Sequence, residues 1–289
     1  ITILERVEHA RGGTIRFAAV LWTPLTVTAK EQLEYDQTGV ANNCTSAEEC
    51  KPRRAYFNGK VKDKLLNDCL SDVLLYQGTR PAFTSKMADA LAPIFTRFER
   101  GSDADTPLVL ITSSLGSKIT FDALEHMRGE PAPTESGAGL DKANGAATAA
   151  LAMQAVSQRA IDRTRLLIMA ANQLPLLGLM DDAGVAPAFL GAGDDPLGRF
   201  LRSRSDRAVP QPVTVVALND PNYLLSYRLQ PARYAAMGWV SVADILVSNK
   251  DTYFWVAEEP WGAHSGYLGN PDVARLIACG SKPDKRACR

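Results

Sequence analysis

Residues 109–122 read Val109-Leu-Ile-Thr-Ser-Ser-Leu-Gly-Ser-Lys-Ile-Thr-Phe-Asp122. Leu108 to Thr112 is a short run of apolar and β-branched residues, the composition of a buried strand. Ser113-Ser114-Leu115-Gly116-Ser117 follows, and its small side chains permit a tight turn. Lys118 to about Met127 then has the spacing of an amphipathic helix. Strand, turn and helix in immediate succession are the opening of an α/β unit.

Three more apolar runs lie downstream: Arg165–Ala171, Pro212–Leu218 and Val240–Val247. Each predicts a strand covered on both faces. Helical or loop segments alternate with them, which implies an α/β fold with a mostly parallel central sheet and helices on both faces. Upstream, Ile1–Glu8 and Thr14–Trp22 are β-rich, and Arg11-Gly12-Gly13 between them reads as a hairpin turn. Pro24 stops the second strand. Helical periodicity covers residues 26–36, about 58–76 and about 84–100. Residues 129–145 are rich in Gly, Pro and Ala and read as a mobile loop, followed by an Ala-rich helix over about 146–163. The organisation expected is a single domain over 1–289.

The chain has 289 residues, 46% of them apolar and 22% charged, with 32 basic and 32 acidic side chains. That apolar fraction and zero net charge exclude a disordered chain. Neutrality also argues against a protein held to nucleic acid by phosphate contacts. The longest apolar runs fall short of the roughly 20 residues a transmembrane helix needs. No Gly-rich phosphate loop, metal cluster or dinucleotide fingerprint is present, so no cofactor is expected.

The Ser-Leu-Gly-Ser core of the turn, with its buried strand before and its helix after, resembles the nucleophile elbow of the α/β-hydrolase superfamily, in particular its lipase-like and esterase-like members. Two positions depart from the usual Gly-x-Ser-x-Gly pattern. Thr112 stands where the first Gly is expected, and Ser113 stands where many lipases have His. The resemblance implies an α/β-hydrolase fold with a lid-like insertion, for which residues 129–163 and 173–205 are candidates.

It also implies Ser114 as nucleophile, an acid after the second strand beyond the elbow strand, and a His after the third. Asp220 is the first acid after Pro212–Leu218. His264, in Gly262-Ala263-His264-Ser265-Gly266, is the one histidine of three in that order, since His9 and His126 both precede the acid. Asp244, Asp251 and Glu258 are alternative acids. In this scheme His264 takes the Ser114 proton and returns it to the leaving group, while Asp220 fixes the imidazole tautomer. Activity is expected to rise with pH near 6.5, shifted by the carboxylate partner.

The backbone N–H of Leu115 supplies one oxyanion-hole donor. The second usually comes from a loop after an earlier strand, and no such motif precedes Ser114. The expectation is that an N-terminal piece carrying that strand and loop is missing; the alternative is an unusual hole built from another residue. The chain opens on Ile1 with no Met and no basic leader, which points to a processed or trimmed start. Gln173–Met180 and Ala186–Leu190 are apolar and suit acyl chains, and Tyr223, Tyr227, Trp255 and Trp261 are candidates to line the pocket, Tyr223 and Trp261 first among them. The expected substrate is a lipid or acyl ester, with contact to a membrane surface as an option. A non-catalytic binding protein of the same fold is the competing reading.

Cys44 and Cys50, and Cys279 and Cys288, bracket short polar loops. They read as two disulfides, and hence as a periplasmic or secreted protein. Cys69 lies in a helical pattern and reads as a small buried apolar residue.

Overall fold

A computed structural model describes residues 1–10, 13–34, 55–100, 106–129, 140–179, 195–204, 211–250 and 260–279. The chain divides into two compact units. The first comprises 1–104 and 122–157, and the second comprises 105–121 and 158–289.

The first unit opens on an antiparallel hairpin of β1 (Thr2–Ala10) and β2 (Gly13–Leu21). One face of the hairpin is tied to a helix end by charge. Arg16 donates to the carbonyls of Arg97 and Arg100, and Glu5 pairs with Arg97. A single 3-10 turn at Thr23–Leu25 begins where Pro24 ends β2, and α1 (Val27–Glu34) follows.

Helix α2 (Tyr56–Val61) continues through a π-helical segment, Lys62–Leu70, into α3 (Ser71–Glu99). The sequence pattern predicts two separate helical stretches, about 58–76 and about 84–100, and Gly78 and Pro81 lie between them. The chain instead stays helical and kinks at Thr79 (φ −127°, ψ 19°). The kink removes the clash that Pro81 would otherwise impose on the preceding turn. Packing holds the helix on both sides of it: Phe83 meets the rings of Tyr76 and Trp22 edge-on at 5.4 and 5.9 Å. The Tyr76 hydroxyl donates to Asp122, which also pairs with Arg80. Cys69 is half-buried rather than fully buried.

The second unit holds the parallel sheet. Its strands are β3 (Leu108–Ser113), β4 (Thr164–Ala170), β5 (Val213–Asn219) and β6 (Val240–Leu246), in that order across the sheet. Every neighbouring pair is parallel. Parallel strands need crossovers. Between β3 and β4 the chain passes through α4 (Gly116–Gly129) and α5 (Leu140–Arg163). Between β4 and β5 it passes through α6 (Leu174–Gly178) and α7 (Pro196–Arg202). Helix α5 starts ahead of the Ala-rich segment that marked it in sequence. Helices α8 (Pro260–Ser265) and α9 (Pro271–Cys279) follow β6.

The central strands β4 and β5 are buried, with Leu167, Met169, Val215 and Leu218 fully so. The apolar run of β3 differs from expectation: Val109 and Ile111, which share one face of this strand at the edge of the described sheet, are each nearly half exposed. Ile168, Ala170, Val216, Leu218, Tyr223, Ala263, Tyr267 and Val273 form one apolar cluster against which α9 packs Leu276 and Ile277. At roughly 1.5–3 kcal/mol per fully buried large apolar side chain, this cluster is what holds α8 and α9 on the sheet. Among the described residues no helix is long and apolar enough to cross a membrane.

Candidate active site

In a parallel sheet the carboxyl ends of all strands lie on one edge, the place where ligands of open α/β sheets bind. Ser114 follows β3, Asp220 follows β5, and His264 lies on α8 after β6. Adjacent strands are about 4.8 Å apart, so the residues that end β3 and β5 are separated by about 10 Å. An imidazole inserted between two side chains can bridge that gap.

Ser114 has φ 54°. A non-glycine residue in the left-handed region is strained, and such strain persists only where the surroundings over-determine it. Two bonds do so here. The Ser114 N–H donates to the Ala170 carbonyl at 2.9 Å, and the Ser114 carbonyl accepts from Ser117 N at 3.1 Å. The side chain therefore stands at the point where the strand reverses into α4. The Leu115 N–H lies in the first turn, where amides have no partner within the helix. The helix N-terminus also favours negative charge at this point.

The first departure from the usual pattern has a structural account. Thr112 is buried and its hydroxyl is absorbed: it lies 2.9 Å from Ser117 Oγ and donates to the Ile168 carbonyl at 3.3 Å. A branched side chain is tolerated there because Ser117, at the start of α4, is small and polar. Ser113 points outward and is exposed.

Asp220 is completely buried. Its Oδ1 accepts from the Asn222 N–H at 3.0 Å and its Oδ2 from the Asn249 N–H at 2.8 Å. Its own N–H donates to the Tyr267 hydroxyl at 2.6 Å, a hydroxyl that burial pushes up to about 12. Backbone amides thus fix both oxygens and leave further lone pairs on each. Asn249 then links the acid to the histidine's helix, because its Nδ2 donates to the Ala263 carbonyl at 2.9 Å. Close approach explains the flanking glycine: a Cβ at Gly266 would sit 2.7 Å from Asn249 Cβ.

His264 is partly buried, and its ring lies on Tyr223 with centroids 4.4 Å apart at 34°. Burial pulls its pKa down to about 4. The sequence-based value of 6.5 is corrected accordingly, because desolvation penalises the imidazolium.

The structure therefore gathers Asp220, Tyr223 and His264. Tyr223 N donates to the Asp220 carbonyl at 3.1 Å, so the acid and the ring share one turn. Among the described residues no hydrogen bond joins the Ser114 hydroxyl, the His264 ring and the Asp220 carboxylate directly to one another. Of the alternative acids, Asp244 is engaged elsewhere, accepting from Asn219 Nδ2 at 2.7 Å and Arg228 Nε at 3.0 Å. Asp251 and Glu258 lie outside the described residues, as do Cys44, Cys50, Cys288, Trp255 and the side chains of Trp261 and Cys279. Tyr227 is 45% exposed. In the apolar segment after β4, Leu174 and Leu177 are buried and Leu179 is exposed, and residues 180–194 lie outside the described residues.

Sequence reasoning missed Gln173, Asn249 and Tyr267. Gln173 Nε2 donates to the Tyr223 hydroxyl at 2.6 Å. These contacts carry no local pattern, since the partners are far apart in the chain.

The fold and site define an α/β protein with a strained serine at the carboxyl edge of a parallel sheet, at the start of a helix. Comparison with protein-family models, with curated proteins and with solved structures finds no match to this chain.

Proposed function

We propose that the chain is a serine hydrolase of the α/β-hydrolase type that cleaves a carboxylic ester, with a lipid or acyl ester as substrate. The observation that carries this reading is Ser114 at φ 54°, in the tight turn between strand β3 and helix α4. Strain of this kind concentrates where function requires a particular exposure of one side chain. In the mechanism His264 accepts the Ser114 proton as Oγ attacks the ester carbonyl. The tetrahedral oxyanion is met by the Leu115 N–H. His264 then passes the proton to the leaving alcohol, and water repeats the sequence to release the acid. Asp220, held by the Asn222 and Asn249 amides, steadies the imidazolium. Catalytic hydrogen bonds are often long without substrate and tighten in the complex. The same proposal has Cys44–Cys50 and Cys279–Cys288 as disulfides and the protein at work outside the cytoplasm.

The competing reading, a non-catalytic binding protein, draws on the absence of a direct hydrogen bond among the three residues. A panel of chromogenic esters of graded acyl length separates the two. The hydrolase reading expects turnover that Ser114→Ala reduces on the order of 10⁴–10⁶-fold. Turnover of no ester, or turnover unchanged by Ser114→Ala, refutes it.

A further inference from the structure

Three side chains at the carboxyl edge of the sheet form a continuous arrangement: Gln173 after β4, Tyr223 after β5 and His264 on α8. Gln173 Nε2 donates to Tyr223 Oη at 2.6 Å, and the Tyr223 ring lies on the His264 ring. Gln173 is 2% exposed and Tyr223 3%. A buried phenol needs a hydrogen-bond partner, and Gln173 supplies it, which fixes the polar end of the ring.

The turn that delivers Gln173 is itself over-determined. Ala171, two residues before it, has φ 50° and is fully buried. Asn172 clamps the turn from three directions. Its Nδ2 donates to the Tyr227 carbonyl at 2.7 Å, its Oδ1 accepts from Leu174 N at 3.2 Å, and its carbonyl accepts from Tyr227 N at 2.8 Å. A second left-handed residue, beside the strand end to which Ser114 is bonded, marks this turn as built for a purpose.

We propose that Tyr223, clamped by Gln173, is the positioning residue of His264: it holds the face of the imidazole and so sets the directions in which the two ring nitrogens point. The proposal rests on the hydrolase reading of Ser114. An imidazole can rotate about its bond to Cβ, and only one range of that rotation aims one nitrogen at a serine and the other at a carboxylate. An aromatic ring packed on its face removes that freedom.

Among the described residues, the titratable groups around His264 are Tyr223 and Asp220 from the turn after β5, Tyr267 three residues on, and Lys250, whose side chain lies against Gly262. The Tyr223 face attracts an imidazolium, while its bulk keeps water off the ring. The second effect is the larger, since the net result of burial is a lowered His264 pKa.

The test uses the full chain with Tyr223→Leu and Tyr223→Phe. The His264 ring is titrated by NMR, its signals assigned with His264→Ala, and ester turnover is measured in parallel. Tyr223 is 3% exposed and so offers an acyl chain little surface, contrary to its expected place in the pocket lining. Tyr223→Leu should therefore lower kcat by about 10–100-fold with KM nearly unchanged, the cost of a misplaced catalytic group. It should also raise the His264 midpoint by at least about one pH unit. Tyr223→Phe keeps the ring, so the midpoint stays and kcat falls by less. A folded Tyr223→Leu chain with unshifted His264, or with wild-type kcat, overturns the proposal. Should that variant not fold, Gln173→Leu removes only the clamp, and wild-type kcat there overturns it equally. A wild-type chain that hydrolyses no ester refutes the hydrolase reading alone; the NMR titrations still decide whether Tyr223 governs the His264 ring.

Discussion

Replacing Ser114 by Gly should stabilise the protein while removing its chemistry, and the size of the effect follows from the backbone. At φ 54° a residue with a Cβ pays about 1–2 kcal/mol that glycine does not. Glycine loses more chain entropy on folding, about 0.5–1 kcal/mol. The half-buried Ser114 hydroxymethyl contributes little packing, so the net gain is about 0.5–1 kcal/mol. That corresponds to a rise of about 1–4 °C in melting temperature for a chain of this size. Ser114→Ala keeps the Cβ and its strain and should stay within about 0.5 kcal/mol of the parent. Ala171→Gly is a matched control. It relieves similar strain at φ 50°, but it empties a fully buried methyl position worth about 0.8 kcal/mol, so its net effect should be near zero. Urea denaturation of the parent and the three variants measures all four values. A Ser114→Gly protein less stable than Ser114→Ala would show that the residue is not held in the left-handed region, and the elbow argument would fall with it.

Three further outcomes are expected. Because His264 must be neutral to act as a base and its pKa lies at about 4, ester turnover should rise with pH around 4 and be flat by about pH 6, and a midpoint at 6.5 in a pH–rate profile contradicts the burial seen here. The same lowered pKa costs stability as pH falls from 6.5, where the unfolded chain begins to take up the proton, to about 4, below which the loss is complete at roughly 3 kcal/mol; denaturation midpoints across that range check it. Asp220→Asn should cost on the order of 10⁴ in kcat by losing the tautomer preference, and it should also lower stability, because the new NH2 faces one of the two backbone N–H groups that Asp220 accepts from. Asp244→Asn should leave kcat near the parent value and lower stability by about 1–3 kcal/mol through its bonds to Asn219 and Arg228, so a kcat loss confined to Asp244→Asn moves the acid to Asp244. Non-reducing peptide mapping should find Cys44–Cys50 and Cys279–Cys288 linked, each contributing about 2–3 kcal/mol, and four free thiols would remove the extracytoplasmic assignment.

The strands and the serine turn were legible because they are local. Leu108–Thr112, Arg165–Ala171, Pro212–Leu218 and Val240–Val247 are continuous apolar runs, and each strand begins and ends within two residues of its run. The continuous helix through residues 77–83 was not legible, since Gly78 and Pro81 are local breakers, and what overrides them is the packing of Phe83 on Tyr76 and Trp22. The supports of the site were hidden for a related reason. Gln173 and Tyr223 are 50 residues apart, and Asn249 reaches Asp220 across 29. Polar contacts at such separations leave no period in the sequence. The lowered pKa of His264 was equally invisible, because Tyr223, which covers the ring, lies far from it in the chain.

Covalent labelling with a fluorophosphonate followed by peptide mass spectrometry decides whether Ser114 is an activated nucleophile. One phosphonyl adduct is expected, on the peptide that contains Ser114, lost in Ser114→Ala and strongly slowed in His264→Ala. An unlabelled protein, an adduct on Ser113, or labelling of Ser114 at the same rate without His264 would contradict it.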